Sequence, residues 1–354
     1  METTEGTPSN DTTGKCSLQA DFQYGFFTVM YSLVFILGLP ANALALFYLC
    51  RSKQRSRNSN IYFVNLSVVD LLFICLLPFR IYYHNTGNNW IFGDVACRIT
   101  GALFYANIYL SIGFFTCISV DRYIAVVHPL MYLKLKCTRY PLILTIVIWI
   151  ICSAIILPLI LGGPLDNAPV NGTRTSCFEG FSSTMWQQRL APYNICAFFF
   201  GFLVPFVVFG VVIPLIARRI CGMKSSIHRK VALRIVAYIL VVCMVCFLPY
   251  NVSYLLHFMM RMGIIRDCVS AMHIYKLRRI TLTLVSLNSC LNPILYFIPY
   301  LSRKLSASYS NQTYDLQNGK PADKVYSKMA SPCHLPRKLE PATLLAAKVE
   351  WSVL

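Results

Sequence analysis

The stretch VACRITGALFYANIYLSIGFFTCISVDRYIAVV, residues 95–127, decides how this chain folds. From Cys97 it runs apolar for longer than the roughly 20 residues a helix needs to cross a bilayer core of about 30 Å. It then closes on the charged pair Asp121-Arg122, followed by Tyr123. A charge pair is costly in lipid unless it sits at the membrane boundary and is used, so the tripeptide marks an inner end with a task.

Comparable stretches flank it at 24–50, 59–85, 141–161, 190–217, 231–260 and 273–299, giving seven spans in all. The last, with Lys276, Arg278 and Arg279 near its start, is the least apolar. Composition agrees: the 354 residues are 56% hydrophobic and 13% charged with a net charge of +18, which fits a polytopic membrane protein better than a soluble one. The expected fold is an all-α membrane protein, a seven-helix bundle over 24–300 between tails at 1–23 and 301–354.

Basic residues set the orientation. Arg51, Lys53, Arg55 and Arg57 follow the first span, whereas Glu2, Glu5, Asp11 and Asp21 outnumber Lys15 before it, so the N-terminus is expected outside. The segments with Lys134, Lys136 and Arg139, with Arg218, Arg219, Lys224, Arg229 and Lys230, and with Arg303 and Lys304 then fall inside. The first 23 residues lack the regions of a signal peptide, and the first span is expected to act as an uncleaved anchor. Basic residues that border apolar spans face an anionic lipid surface, which argues against nucleic acid as their partner.

Of the fifteen cysteines most lie within spans, where a small buried thiol is the ordinary reading. Four fall on the expected outer side: Cys16, Cys97, Cys177 and Cys268. An oxidising exterior permits Cys97 with Cys177 and Cys16 with Cys268, although spacing alone allows three pairings. Asn10-Asp11-Thr12 and Asn171-Gly172-Thr173 are glycosylation acceptors on the same face.

Polar residues recur at comparable depth: Asn42, Asp70, Ser111, Asn288 and Asn292. An intramembrane carboxylate needs company, so Asp70 is expected to share a small hydrated pocket with Ser111, Asn288 and Asn292. Na⁺ is the first candidate occupant, a proton the second, and an ion-free interhelical clamp the third reading. Pro205, Pro249 and Pro293 each remove a backbone hydrogen bond inside a span, where a kink is expected.

Taken in order, Gly38-x-x-x-Asn42, Asn65-Leu66-Ser67-x-x-Asp70, Cys97, Asp121-Arg122-Tyr123, Trp149, Pro205, Cys246-Phe247-x-Pro249 and Asn292-Pro293-x-x-Tyr296 resemble the rhodopsin-like G-protein-coupled receptors over roughly 24–305. Leu77-Pro78-Phe79-Arg80, Trp90-x-Phe92-Gly93-Asp94, Phe104-Tyr105-x-Asn107-x-Tyr109 and Phe247-Leu248-Pro249-Tyr250 look like the branch of the purinergic nucleotide and lysophosphatidic acid receptors. The resemblance implies a plasma-membrane receptor, with a heterotrimeric G protein, arrestin and a receptor kinase as partners. Arg122, held by Asp121 at rest, would be released when span six swings outward, with Phe247, Pro249, Asn292, Pro293 and Tyr296 in the relay. Phe247 replaces the tryptophan most relatives carry, Cys243 an aromatic and Ile213 a tyrosine. Arg229 offers Arg122 no acidic partner, so any resting lock must be Asp121.

The outer half is cationic. Arg80, Arg98, Lys276, Arg278 and Arg279 could converge on an anionic ligand, and the planar fork of Arg suits phosphate. Adjacent positions on one helix cannot all face inward, so part of the 276–279 run is expected to snorkel to lipid headgroups. Phe104, Tyr105, Tyr109, Tyr250 and Tyr254 would form walls with polar tips, beside Asn251. Nucleotide receptors of the branch usually carry a histidine and a basic residue where this chain has Asn251 and Tyr254. An anionic lysophospholipid such as lysophosphatidic acid is therefore the first expected ligand and a nucleotide the second.

Other classes fit poorly. The place of a retinal-linking lysine holds Ser286, the transporter signature of inverted repeats is lacking, and six histidines without metal-ligand spacing or a nucleophile motif give no enzyme. After Pro299, Leu301 to Leu305 is expected to form a short amphipathic eighth helix, and Ser352-Val353-Leu354 matches a carboxyl-terminal ligand for a PDZ-type domain.

Overall fold

The computed structural model describes residues 22–51, 60–136, 139–161, 166–167, 175–177, 188, 190–221 and 227–298. Seven helices in it are long and apolar enough to cross a membrane: Phe22–Arg51, Ile61–Asn85, Gly93–Val127, Tyr140–Leu157, Ala191–Ile220, Val231–Arg261 and Cys268–Ile298, here spans one to seven. They pack as an inside-out protein. Leu33, Ile36, Leu37 and Leu44 of span one, Ile150 of span four and Val207 and Val211 of span five are exposed, whereas Asn42, Asp70, Asn107, Ser111, Asn288, Ser289 and Asn292 are buried. Lipid as solvent demands that order, because an apolar exterior costs nothing there and each polar group must find its partner inside.

Prolines shape the spans through the carbonyls they leave without a donor. Span two breaks at Cys75 and Leu76, just before Pro78. Spans five and six each carry a π-helical turn, Phe199–Leu203 below Pro205 in sequence and Cys243–Phe247 before Pro249. In span seven Pro293 cannot donate to the Ser289 carbonyl, and Asn42 Nδ2 of span one donates to that oxygen instead at 2.7 Å.

Close approach and polar clamps set the remaining contacts. A Cβ at Gly38 would lie 2.8 Å from Ile74 Cδ1, so spans one and two approach because residue 38 has no side chain. Trp149 Nε1 of span four donates to Asn65 Oδ1 of span two at 3.0 Å. A helix of the inner side, Pro129–Lys136, follows span three.

On the outer side Asp166–Asn167 pairs antiparallel with Ser176–Cys177, and a disulfide joins Cys177 to Cys97 at the head of span three. Trp90 extends this tie: its backbone N–H donates to the Thr175 carbonyl at 2.7 Å and its indole N–H to the Gly93 carbonyl at 2.8 Å. Cys268 is also disulfide-bonded, to a partner outside the described residues, where Cys16 falls. Beside it Asp267 caps span seven by accepting from the Ser270 amide at 2.8 Å, and the Ser270 side chain together with that amide holds its carboxyl below the usual range. Asn10, Asn171, the expected eighth helix and the carboxyl-terminal tripeptide lie outside the described residues.

Candidate functional site

The outer half of the bundle builds a cationic site on two sides. On span two, Pro78 restarts the helix and puts Arg80 inward, its guanidinium 5.1 Å from the centroid of the Phe104 ring of span three. The Arg80 Nε is buried and without a hydrogen-bond partner. Tyr31 of span one lies within electrostatic range of both Arg80 and Arg279 of span seven. Arg279 Nη2 donates to Tyr275 Oη at 2.7 Å with its guanidinium over that ring.

Arg278 turns the other way. Its Nη1 donates to the His257 ring at 2.7 Å, and its guanidinium lies 5.2 Å over the Tyr254 ring of span six. Aromatic residues close the space between. Tyr250 and Tyr254 stack at 5.6 Å, Tyr105 meets Tyr193 edge-on at 6.1 Å, and Tyr254 Oη donates to Asn194 Oδ1 of span five. Tyr109 packs against the backbone at Gly201, inside the π turn of span five.

Two expected ligand residues do not join this site. Arg98 bridges to Asp94 and donates to the Ile160 carbonyl at 2.9 Å, because the acid one turn away and the open end of span four hold it at the rim. Lys276 is exposed, as helical geometry requires once Arg278 and Arg279 point between helices. Asn251 is buried near Tyr254, with its amide nitrogen donating to the Phe247 carbonyl at 2.8 Å. Several residues of the site escaped sequence reading, among them His257, Asn194, Tyr193, Tyr275 and Tyr31. His257 had a signal, since it lies three and seven residues after Tyr254 and Tyr250 on one helix face.

Below lies the polar core. Asp70 accepts from Asn107 Nδ2 at 2.9 Å, Ser289 Oγ at 2.8 Å and Asn292 Nδ2 at 2.7 Å. Ser111 was expected among these partners, but it makes no hydrogen bond; Asn107, one turn earlier on span three, takes that place. Asn288 joins only through Ser289, whose hydroxyl is 2.9 Å from Asn288 Oδ1. The Ser111 Oγ and Asn292 Oδ1 atoms remain buried without partners, and Asn292, whose amide nitrogen is on Asp70, is the one that this hydrogen bond places beside the carboxylate.

At the inner end Arg122 Nη2 lies 2.9 Å from Asp121 Oδ2, both residues buried. Val126, Val212, Ile216, Ala232 and Val236 pack together from spans three, five and six, with Tyr123 and Ile213 against them. Ile213 therefore acts as packing. Phe247 meets Phe115 edge-on at 6.0 Å, and Cys243 is fully buried below it. Tyr238 Oη of span six donates to the Leu291 carbonyl of span seven at 2.9 Å, and the Tyr296 ring meets Phe63 edge-on at 5.4 Å.

A seven-helix bundle with a buried acid-arginine pair at its inner end and a ligand site between its outer ends is the architecture of a seven-transmembrane receptor. The family model described as 7 transmembrane receptor (rhodopsin family) matches residues 41–296, and the chain belongs to that family. Lysophosphatidic acid receptor 4 of Homo sapiens is 35% identical to it over 80% of this chain and 76% of its own. Cysteinyl leukotriene receptor 2 of Homo sapiens is 35% identical over 82% and 83%, and the human uracil nucleotide/cysteinyl leukotriene receptor 33% over 81% and 76%. The protein is thus a multi-pass plasma-membrane receptor, not an enzyme, and passes the binding of a small-molecule or lipid ligand to a G protein.

Proposed function

We propose that the agonist is an anionic lysophospholipid such as lysophosphatidic acid, with its phosphate between Arg80 and the Arg278-Arg279 pair and its acyl chain along the aromatic walls. The observation that carries this reading is Arg80. Its Nε is buried with no hydrogen-bond partner among the described residues and the guanidinium lies over the Phe104 ring, so an incoming phosphate would supply the charge-assisted bonds that burial withholds. The lysophosphatidic acid receptors among the relatives support the same class. A nucleotide comes second, since Asn251 and Tyr254 occupy the places where that branch usually carries its histidine and basic residue.

Agonist binding would favour the packing in which span six moves outward, freeing Arg122 from Asp121 for the G protein. The Asp70 core is the proposed seat of an allosteric Na⁺, held by Asp70, Ser111 and Asn292. Agonist affinity should then fall with added NaCl relative to a chloride salt of a large organic cation, and Asp70→Asn should abolish the difference. The N-terminus is proposed outside, with arrestin and a receptor kinase acting on the inner face and a PDZ-type domain at Ser352-Val353-Leu354.

A panel of lysophospholipids and nucleotides in a G-protein activation assay, on wild type and Arg80→Ala, tests the ligand. Lysophosphatidic acid should activate wild type, with potency reduced about 10- to 100-fold in the variant, the equivalent of one lost charge-assisted hydrogen bond. Equal potencies would sink the Arg80 assignment, and a response to nucleotides alone would replace the lipid.

A further inference from the structure

Spans six and seven share a bond made by two hydroxyls. Ser253 Oγ of span six and Thr281 Oγ1 of span seven are 2.6 Å apart, and both residues are buried. Each also reaches a carbonyl of its own helix, Ser253 that of Tyr250 at 2.9 Å and Thr281 that of Arg278 at 3.1 Å. A hydroxyl has one proton, so two protons serve three contacts. If both turned to their own carbonyls, the two oxygens would meet lone pair against lone pair at 2.6 Å. One proton therefore lies between them, and one helix holds the other.

The place of that bond along span six gives it a purpose. Inward of it come Pro249, which has no N–H to return along the helix, and the π turn Cys243–Phe247, where the hydrogen bonds reach back five residues instead of four. Inward again, the half-buried Tyr238 bonds the Leu291 carbonyl. Outward of the π turn the helix is braced. Asn251 Nδ2 holds the Phe247 carbonyl at 2.8 Å, Ser253 holds that of Tyr250, and Arg278 of span seven lies over the Tyr254 ring. A helix bends where its ladder is interrupted, so a force that parts the inner ends is taken up over 243–249 and leaves the enclosed hydroxyl bond whole. We propose that Ser253 and Thr281 are positioning residues that pin the outer half of span six to span seven in the resting and the signalling receptor alike, so that only the part inward of the π turn swings. The pin rests on the outward swing of span six and on nothing about the agonist.

A contact made equally in two states cannot bias the equilibrium between them, whereas a lock across a contact that must part removes one of the states. The probe is purified heterotrimeric G protein freed of nucleotide, which captures the open inner end without an agonist. It is titrated, class by class, onto the full-length receptor in lipid nanodiscs. Ser253→Cys with Thr281→Cys, oxidised to a disulfide, should bind it within about threefold of the reduced form. Tyr238→Cys with Leu291→Cys, joined by a thiol reagent long enough to span the tyrosine it replaces, should bind at least about tenfold more weakly than its unlinked form. Wild type carried through both treatments controls for the native cysteines. Thr281→Val keeps the shape and loses the hydroxyl, so it should unfold at a lower temperature while its affinity for the G protein stays within about threefold of wild type, and Thr281→Ser should restore the temperature. A larger loss on oxidation that reductant reverses, or a larger change of affinity in Thr281→Val, overturns the pin and leaves the swing. Binding that survives the inner lock, or a receptor that takes no G protein in any form, removes the swing and the pin with it.

Discussion

Gly201 and Arg98 show how single side chains divide into those that shape the site and those that hold the walls. A Cβ at Gly201 would enter the Tyr109 ring of span three. Gly201→Ala should lower thermal stability by about 1–3 kcal/mol through overpacking and weaken the agonist, and adding Tyr109→Leu should restore most of the stability. Thermal unfolding of the purified variants reads this, and an undisturbed single variant would refute the close packing. Arg98 makes the opposite case. With its guanidinium on Asp94 and the Ile160 carbonyl, Arg98→Ala should reduce stability while agonist potency stays within about threefold of wild type, as expected for a rim residue that touches no ligand. A loss matching that of Arg80→Ala would return Arg98 to the ligand site.

Spans six and seven lack an acid for Arg122 at the inner end of span six, and a neutral hydrogen bond ties them together instead. Tyr238 Oη on the Leu291 carbonyl must break or travel when span six swings away. Tyr238→Phe should therefore raise ligand-free signalling, about two- to tenfold for a bond worth roughly 0.5–1.5 kcal/mol, in a basal G-protein activation assay. Unchanged basal activity would show that the tie moves as a unit. The existence and order of these helices were legible in hydropathy, because about 20 apolar residues have few alternatives. Their internal irregularities were not. Pro205 and Pro249 announce a disturbance, but whether the chain answers with a kink or a π turn depends on neighbours such as the Tyr109 ring at Gly201.

Taken as one molecule, the receptor keeps its two charged features apart: cations at the outer end and a closed acid-arginine pair at the inner one. Asp121→Asn should leave Arg122 buried beside a neutral partner and raise basal signalling, with lower expression because an uncompensated buried charge destabilises the resting bundle. Failure to raise basal activity in surface-normalised cells would move the resting lock elsewhere. The polar core and the aromatic walls were readable as residue types, yet their pairing was not. Asp70 chose Asn107 and Ser289 over Ser111 because one helical turn decides which side chain reaches a fixed carboxylate, and hydropathy carries no such phase. Lys276 was misplaced for the same reason, and Arg98 because Asp94 and the Ile160 carbonyl hold it at the rim.

The amide of Asn42 on the Ser289 carbonyl has a mechanical meaning. Because it fills the gap that Pro293 leaves, the first helix is geared to the hinge of the seventh: any rotation there either drags Asn42 along or exposes an oxygen to hydrocarbon. Span one is thereby a brake on the last step of activation.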